Sequence, residues 1–573
     1  MLGPFLRPYA RPAGIVLGLT VAQCAGNLSL PLLDADIINT GVLGADVGYI
    51  WRVGAVMLGI SAAASALAVL STFWTARVAM SVGGDLRLAV YRRTQSFSAR
   101  ELAQFGVPTL VTRTVNDVQQ VQLFLLLTLS LLVSSVIMIA GALVLAVREA
   151  PGLTLLLLAA VPVVALAAGV GLVLLVPLNR ALQQQIDGVS RVLREQISGV
   201  RVIRAFLRTG FEEDRFRAAN ADLTATGIRV NRTVAALLPI AAGAISLLAV
   251  AVIWFGGRQA NAGTLPVGNL VPFLLYIFQI LTYLIMGLLV VFFLSRAVAS
   301  AERIRQVLDT VPALTEPPHP VTPAALTGAV EFRAVTFGYP GSGRPVLSGL
   351  TFALPPGRSS AIIGGTGSGK TTVISLIVRL LDVTGGAVLV NGVDVRDQPS
   401  AELRAATGLV PQVPFLFAGT VASNLRTGRP EATDEELWHA LEVAQASDFV
   451  ARMPGRLEAP VDQGGVNVSG GQRQRLSIAR ALVRRPRLYL FDDSFSALDA
   501  ATDARLRAAL RAETRDAAVV IVSQRVSTIM DADQIIVLDA GSVVGIGSHG
   551  QLLAGCAAYR EIVESQLGAG AAA

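Results

Sequence analysis

The chain has 573 residues, of which 53% are hydrophobic and only 15% are charged. This composition excludes an ordinary soluble protein and indicates a membrane protein that carries a soluble part. The net charge of +7 can suggest nucleic-acid binding, but no basic stretch interleaved with aromatic residues supports that function. Cys24 and Cys556 lie far apart, so neither a disulfide framework nor a metal cluster is expected.

Six apolar runs occupy the first half of the chain, each near or above the roughly 20 residues that a membrane-spanning helix needs. Arginine is concentrated in the long connections after the second and fourth runs, so these connections and both termini are predicted to lie in the cytoplasm. Residues 5–9, before the first run, are predicted to form an amphipathic elbow at the membrane surface. The runs are approximately Ile15–Leu33, Val53–Trp74, Leu123–Val147, Leu153–Val176, Val234–Phe255 and Val267–Leu294.

The two long connections, 78–122 and 178–233, lack turn signals and are predicted to continue as helices beyond the membrane. Within the runs, charge is scarce, and this argues against a proton-coupled pump and favours apolar or amphipathic cargo. Asp34 and Asp36 at the outer end of the first run are explained equally well by helix capping and by a substrate role. The uncharged polar residues Gln23, Asn27 and Gln279 either line a cavity or form hydrogen bonds between helices.

The character of the sequence changes after residue 310. A proline-rich stretch at 311–327 predicts a stiff linker, and from 328 to 567 strand-like and helix-like segments alternate as in an α/β domain. The closing residues 568–573 are predicted to be disordered. The predicted fold class is therefore an all-α six-helix transmembrane domain over 1–310, followed by an α/β domain over 328–567.

The most specific motif is the stretch GGTGSGKT at 364–371, which fits the phosphate-loop pattern G-x-x-x-x-G-K-[ST]. An apolar strand precedes it and a helix follows, so backbone N–H groups and the helix N-terminus can converge on phosphates. Lys370 is the only lysine in the chain, where every other cationic side chain is arginine. The motif predicts that the α/β domain is a P-loop nucleotide-binding domain, in which Lys370 contacts the β- and γ-phosphates and Thr371 contacts Mg²⁺.

Further candidate residues flank this loop. Tyr339, in a Tyr-Pro turn that is common in itself, offers an aromatic face for adenine. Gln412 and Asp492 each follow or end an apolar strand, where an amide and a carboxylate can contact Mg²⁺ or its water. At 468–475 a turn of small residues precedes a helix, whose N-terminus is a second anion site. We interpret this site as one that binds a nucleotide held by another subunit.

Together these motifs resemble those of half-transporters of the ATP-binding cassette (ABC) family, over nearly the whole chain. The resemblance makes 364–371 the Walker A loop, Tyr339 the A-loop, Gln412 the Q-loop, 468–472 the signature, 488–492 the Walker B strand and 496–499 the D-loop. It implies two halves with two ATP molecules, each held between one Walker A loop and the other half's signature. It also implies coupling helices within 92–105 and 205–216. The expected nucleotide contacts are Tyr339, Gly364, Thr366, Gly367, Ser368, Gly369, Lys370, Thr371 and Thr372, and the expected Mg²⁺ contacts are Thr371, Gln412 and Asp492.

Two residues depart from the family pattern. Asp493 occupies the position of the catalytic glutamate, and Gln524 occupies that of the switch histidine. Aspartate is one methylene shorter, and a misplacement of about 1 Å can cost on the order of 100-fold in rate. Glutamine can bind the γ-phosphate but cannot carry the charge of an imidazolium. Both changes together predict a site that holds ATP and hydrolyses it slowly.

The signature residues Ser469, Gly470, Gly471 and Gln472 match the pattern and are expected to complete a partner's catalytic site. The leading hypothesis is therefore one half of a heterodimeric, ATP-driven transporter in the cell membrane, with export of drug-like or lipid-like molecules favoured. A homodimer with two slow sites, an importer of siderophores or fatty acids, and an ATP-sensing regulatory subunit or gated channel are the alternatives.

Overall fold

The structure, a computed structural model, describes residues 2–567, and the chain divides into two compact units. One unit consists of the chain up to Gln95 together with Gly106–Thr310, and the other of Ser96–Phe105 together with the chain from Val311 onward. The division after Thr310 lies next to the predicted start of the linker at 311. The tail predicted to be disordered, 568–573, lies outside the described residues.

Long helices dominate the first unit. Short π-helical turns at Ile37–Val42, Arg113–Asp117 and Thr128–Leu132 adjoin some of them, and 3-10 turns lie at Arg7–Tyr9 and Val267–Asn269. The helices of the first unit and of the segment 96–105 are α1 (Gly3–Leu6), α2 (Ala10–Asp36), α3 (Val47–Gln95), α4 (Ala99–Phe105), α5 (Val107–Thr112), α6 (Val118–Leu127), α7 (Val133–Glu149), α8 (Pro151–Ser198), α9 (Val200–Ala205), α10 (Thr209–Asn261) and α11 (Leu270–Asp309).

Each predicted apolar run lies within these helical segments. In the described part of the chain, four continuous helical stretches are long and apolar enough to cross a membrane: Gly3–Val42, Val47–Gln95, Val107–Glu149 and Val267–Asp309. The fourth and fifth runs lie in α8 and α10, whose side chains are described only in part. Tyr276 of α11 is fully buried, and its hydroxyl donates a hydrogen bond of 3.1 Å to the carbonyl of Leu28 in α2.

The helices extend well beyond the apolar runs, as the absence of turn signals predicts. The first long connection is broken at Ser96–Ser98 and Gly106, and α4 lies within the range predicted for a coupling helix. The second long connection is interrupted at Gly199 and at 206–208, although its lack of turn signals predicts a continuous helix. Helix α9 ends at Ala205, Leu207 adopts a left-handed φ of 54°, and α10 begins at Thr209, so most of the predicted range 205–216 belongs to a long helix.

Buried polar contacts join two helical stretches of the first unit. Asp117 is 3% exposed and accepts hydrogen bonds from the Ser300 hydroxyl at 2.9 Å and from the Arg303 guanidinium at 2.8 Å. A buried carboxylate needs such partners, because burying an unpaired one costs roughly several kcal/mol of hydration free energy. The contact joins the helical stretch after Gly106 to α11.

The second unit is built around a six-stranded sheet with the strand order β12-β11-β3-β10-β9-β6 within the described residues. Its five strands from β11 to β6 are parallel, and β12 is antiparallel. A four-stranded antiparallel sheet, β2-β1-β4-β5, and the pair β7-β8 accompany it. The strands are β1 (Val330–Phe337), β2 (Leu347–Leu354), β3 (Ser359–Gly364), β4 (Gly385–Val390), β5 (Val393–Asp394), β6 (Thr407–Val410), β7 (Gly419–Thr420), β8 (Pro460–Val461), β9 (Leu488–Asp492), β10 (Ala518–Val522), β11 (Gln534–Asp539) and β12 (Ser542–Gly547).

Helices cover the faces of the six-stranded sheet, as expected for parallel strands that are apolar on both sides. Two 3-10 turns, Arg456–Glu458 and Gln463–Gly465, lie among them. The helices are α12 (Lys370–Ile377), α13 (Ser400–Ala405), α14 (Val421–Arg426), α15 (Asp434–Val443), α16 (Ser447–Arg452), α17 (Gly470–Val483), α18 (Ala500–Glu513), α19 (Val526–Ile529), α20 (His549–Gly555) and α21 (Ala557–Leu567). The parallel order brings the carboxyl ends of β3, β9 and β10 side by side, which is where ligands bind in such sheets.

The proline-rich stretch 311–327 contains no helix or strand and is hydrogen-bonded to the second unit. The backbone N–H of Val321 donates to the carbonyl of Asp397 at 2.8 Å, and the buried Arg379 donates to the carbonyl of Thr315 at 2.9 Å. This segment therefore follows the surface of the α/β unit.

Candidate nucleotide-binding site

The phosphate loop has the geometry that its sequence predicts. Strand β3 ends at Gly364 and helix α12 begins at Lys370. Gly367 and Gly369 adopt φ angles of 84° and 94°, in the left-handed region that glycine enters without steric cost. A Cβ on Gly369 would lie 2.4 Å from Leu347 Cδ2, and one on Gly364 would lie 2.1 Å from the carbonyl oxygen of Leu538. Glycine is therefore required at both positions.

Lys370 is buried within this loop. Its Nζ donates hydrogen bonds to the carbonyl oxygens of Gly364 at 2.8 Å and Gly365 at 2.7 Å. Burial lowers the pKa of Lys370, while the nearby carboxylates of Asp493 and Asp492 act in the opposite direction. The ammonium group thus lies at the centre of the loop, where phosphate oxygens can take over as hydrogen-bond acceptors.

Asp492 ends the fully buried strand β9 and contacts the first turn of α12. Thr371 Oγ1 donates a hydrogen bond of 3.1 Å to Asp492 Oδ1. Burial raises the pKa of Asp492; the Thr371 hydroxyl and Lys370 lower it, and the neighbouring Asp493 carboxylate raises it further. A hydroxyl and a carboxylate of this kind, side by side at a phosphate loop, are the oxygen donors that suit Mg²⁺. The residues present therefore fit a magnesium–nucleotide complex.

A cavity of about 320 Å³ brings most of the predicted residues together. Gly364 and Ser368 are outside its lining; the carbonyl of Gly364 accepts a hydrogen bond from Lys370, and Ser368 is a buried residue of the loop. Two lining residues, Val346 and Val522, were not predicted, although the position of Val522 at the end of an apolar strand is a usable signal. The lining residues are Tyr339, Val346, Thr366, Gly367, Gly369, Lys370, Thr371, Thr372, Gln412, Asp492, Asp493, Val522 and Gln524.

Tyr339 lies at the rim of the cavity and is 45% exposed. Its ring packs edge-on against Phe337, with the ring centres 5.0 Å apart, and its hydroxyl lies 3.3 Å from Thr372 Oγ1. These two contacts fix the ring and leave aromatic surface open. The arrangement suits stacking with a flat base, as predicted for adenine.

The two residues that depart from the family pattern both line this cavity. Asp493 has a left-handed φ of 45°, and its N–H donates to the carbonyl of Val522 at 2.9 Å. Aspartate enters this backbone region more readily than most residues. Gln524 is exposed two residues after β10, and its backbone carbonyl accepts a hydrogen bond of 2.6 Å from Gln566 Nε2. The structure thus places both departures at the nucleotide cavity.

The signature residues lie elsewhere on the same unit. Ser469 caps α17: its hydroxyl accepts from the N–H of Gln472 at 3.3 Å, and its own N–H donates to Gln472 Oε1 at 3.0 Å. Such a reciprocal cap stabilises the helix start. Among the described residues, the cavity lining includes neither Ser469, Gly470, Gly471 nor Gln472. An exposed helix start outside the cavity is consistent with the prediction that it addresses another nucleotide.

Two contacts near the D-loop were not predicted. Ser494 is fully buried, and its hydroxyl donates to the carbonyl of Val410 at 3.0 Å, which fixes the end of β9 against β6. Arg525, next to Gln524, donates to the carbonyl of Ser496 at 2.9 Å. These contacts connect the chain after β10 with the chain after β9. No local pattern in the sequence indicates them.

Comparison with known proteins agrees with this geometry. Residues 14–284 match the ABC transporter transmembrane region, and residues 347–496 match the ABC transporter domain. An uncharacterised ABC transporter ATP-binding protein of Mycobacterium tuberculosis is 45% identical, over 99% of this chain and 98% of that protein. A multidrug efflux ATP-binding/permease protein of Mycobacterium tuberculosis is 32% identical over 98% of this chain, and the match covers 47% of that protein.

A solved structure is similar over its whole length. It is that of a bacterial Atm1-family ABC exporter with ATP bound, and it matches with a TM-score of 0.80, at 25% identity, over 98% of this chain and 99% of that one. The helical unit, the phosphate loop, the buried Walker B strand and the signature helix all occur in the order that this family requires. The chain belongs to the ABC transporter family and has its exporter-type fold, with a transmembrane region followed by an ATP-binding domain.

Proposed function

We propose that this chain is one half of a heterodimeric ABC transporter, in which its own nucleotide site binds ATP and hydrolyses it slowly. The signature of this chain completes the catalytic site of the partner half. ATP and Mg²⁺ bind between the Walker A loop of one half and the signature of the other, and closure around them switches the access of the transport cavity.

The observation that carries the proposal is the position of Asp493 and Gln524 in the lining of one cavity with Lys370 and Thr371. A general base must reach the attacking water to within hydrogen-bonding distance. The short side chain of Asp493 reaches less far than glutamate would from the same backbone position. Gln524 can donate a hydrogen bond to the γ-phosphate but supplies no positive charge there. Binding is therefore retained, and the hydrolytic step is slowed.

The signature supports a two-chain site. Ser469, Gly470 and Gly471 match the pattern; at the capped start of α17, Ser469 and Gly470 are exposed and Gly471 is partly exposed. A helix N-terminus with free N–H groups favours a bound anion. Since these residues lie outside the cavity of their own unit, the anion that they bind is the γ-phosphate of a nucleotide on the partner.

A relative of about twice the matched length also supports pairing with a second half. The multidrug efflux protein matches this chain over nearly all of it, yet the match accounts for 47% of that protein. A chain that corresponds to about half of a transporter needs a second half. We propose that the partner carries glutamate after its Walker B aspartate and histidine at its switch position.

The cargo that we propose is apolar or amphipathic, and the direction is export across the cell membrane. The helical stretches are strongly apolar, and one relative is named for multidrug efflux while the solved structure is that of an exporter. The arginine-rich connections favour a cytoplasmic position for the nucleotide-binding domain and both termini.

The test compares ATP hydrolysis by three preparations in lipid nanodiscs: this chain alone, the candidate partner alone, and the two together. We expect slow hydrolysis by this chain alone and fast hydrolysis only when the partner is present. Brisk hydrolysis and cargo movement by this chain alone would refute the proposal. Direction is measured with labelled cargo in inverted membrane vesicles, where ATP-driven accumulation inside the vesicles means export.

A further inference from the structure

A second cavity lies in the α/β unit, at the edge of the large sheet opposite the nucleotide. It has a volume of about 330 Å³ and is lined by residues at the amino ends of β3, β10 and β11 and by the end of α18. Strand β3 connects the two sites: Ser359 lines this second cavity, and the phosphate loop begins after Gly364 at the other end of the strand. An extended strand of this length separates the two sites by about 17 Å.

Positive charge predominates in the lining of this second cavity. Four arginines, Arg358, Arg507, Arg511 and Arg515, face two aspartates, Asp531 and Asp533. Arg507 also pairs, at 3.3 Å, with Asp503, which lies outside the lining, so these groups together carry an excess of one positive charge. Guanidinium groups bind phosphate oxygens with two parallel hydrogen bonds, which is why arginine is common in phosphate sites.

The aspartates are already engaged by other groups. Asp533 accepts hydrogen bonds from the N–H and the hydroxyl of Ser359, each at 2.8 Å, and the N–H bond is the main cause that lowers the pKa of Asp533. The carboxylate of Asp531 lies 3.6 Å from Arg507, and its carbonyl accepts from Arg511 at 3.1 Å. In the part of the chain that the structure describes, neither Arg358 nor Arg515 forms an ion pair within 4.0 Å.

Part of the wall of the second cavity is apolar. Leu510 and Val519 are buried, Ile521 is half-buried, and all three contribute to the lining. A ligand that matches the second cavity therefore carries an anionic group toward the arginines and an uncharged body toward this wall. A phosphate monoester carries a charge of about −1.5 to −2 at neutral pH, opposite in sign to the exposed guanidinium groups of Arg358 and Arg515, the first of which also acts on the carboxylate of Asp533.

We propose that this second cavity is a binding site for a small organic phosphate monoester, separate from the ATP site. Arg358 and Arg515 bind the phosphate, and the wall formed by Leu510, Val519 and Ile521 contacts the organic part. The proposal does not depend on the heterodimer or on the rate of ATP hydrolysis. The site belongs entirely to one chain and is at the far end of β3 from the γ-phosphate.

The experiment uses the full chain in nanodiscs, saturated with Mg²⁺ and a non-hydrolysable ATP analogue so that the phosphate loop is filled. Phenyl phosphate is then titrated by calorimetry, with inorganic phosphate as the comparison probe. We expect phenyl phosphate to bind with one equivalent and more tightly than inorganic phosphate. The double variant Arg358→Gln/Arg515→Gln is expected to weaken phenyl phosphate binding by about 100-fold, tenfold for each arginine.

The matched control is Arg452→Gln/Arg456→Gln, which removes two exposed arginines outside the second cavity and the same total charge. It is expected to leave phenyl phosphate binding unchanged. The proposal is overturned if wild type shows no binding, if the two double variants bind equally well, or if inorganic phosphate binds as tightly as phenyl phosphate. Binding of the ATP analogue reports whether each variant is folded. If the double variant Arg358→Gln/Arg515→Gln does not bind the ATP analogue, the single variant Arg515→Gln is tested in its place. A tenfold loss of phenyl phosphate affinity is then expected, and an unchanged affinity overturns the proposal.

Discussion

Thr371 Oγ1 and Asp492 Oδ1 are joined by a hydrogen bond of 3.1 Å, which connects the first turn after the phosphate loop to the end of a strand that is distant in sequence. The contact holds a hydroxyl and a carboxylate where Mg²⁺ would accompany the β- and γ-phosphates. It also gives the buried carboxylate of Asp492 a hydrogen-bond partner.

Asp492→Asn is therefore expected to weaken binding of ATP by at least tenfold when Mg²⁺ is present, because the amide keeps the volume but not the charge. In excess chelator, without Mg²⁺, wild type and variant should bind ATP equally. Calorimetric titration in both buffers measures this. Ser375→Ala, a partly exposed position on the same helix and outside the cavity lining, serves as the control and should behave as wild type. An equal loss with and without Mg²⁺ would contradict a role in metal binding.

Gly369→Ala is expected to reduce ATP binding strongly. A Cβ there would lie 2.4 Å from Leu347 Cδ2 and would force a side-chain-bearing residue to a φ of 94°, a strain of roughly 1–3 kcal/mol. Gly365→Ala is the matched control, since its Cβ would meet nothing within 4 Å. Thermal unfolding and fluorescence titration with a labelled ATP analogue compare the two variants. Equal effects of both substitutions would show that the loop tolerates a Cβ at Gly369.

Gly470→Asp and Ser469→Arg are expected to nearly abolish ATP hydrolysis by the assembled pair. Each places a new side chain, charged and larger, at the exposed start of α17, where the partner's γ-phosphate is proposed to lie. Ser469→Thr keeps the hydroxyl that caps the helix and should retain most of the activity. Retention of most hydrolysis in the first two variants would contradict the role of this signature in the partner's site.

Lys370→Ala is expected to slow turnover of the pair less than removal of the corresponding lysine in the partner. The reason is that Asp493 and Gln524 already limit hydrolysis at the site that Lys370 serves. Steady-state ATPase assays on the two singly altered pairs give the ranking. The reverse ranking would assign the main catalytic site to this chain.

The double change Asp493→Glu with Gln524→His is expected to raise basal ATP hydrolysis, because it restores the longer carboxylate and an imidazole at the cavity. Glutamate must adopt the left-handed φ of 45° at this position, so a small loss of stability is expected as well. Hydrolysis is measured on the assembled pair, and melting temperature on the same samples. No gain in rate, with folding and ATP binding intact, would mean that other residues slow the site.

Much of the secondary structure of this chain can be predicted from local sequence. The apolar runs predict helices, and the phosphate loop, the strand ending at Asp492 and the helix starting after Ser469 lie where their residue patterns predict. These features depend on neighbouring residues alone: periodicity, glycines with special φ, and capping groups. The family follows from the same motifs, since their types and order are specific.

The tertiary structure decided the relationships between distant segments. The strand order β3-β10-β9 brings Thr371, Asp492 and Gln524 to one cavity, and it places Arg358 and Arg515 together at the opposite edge of the sheet. The break after Ala205, where the sequence predicts continuous helix, contains the left-handed residue Leu207, and leucine seldom adopts that conformation. Local patterns determine elements because each is stabilised largely within itself, whereas side chains from separate elements meet only through the order in which the strands pair.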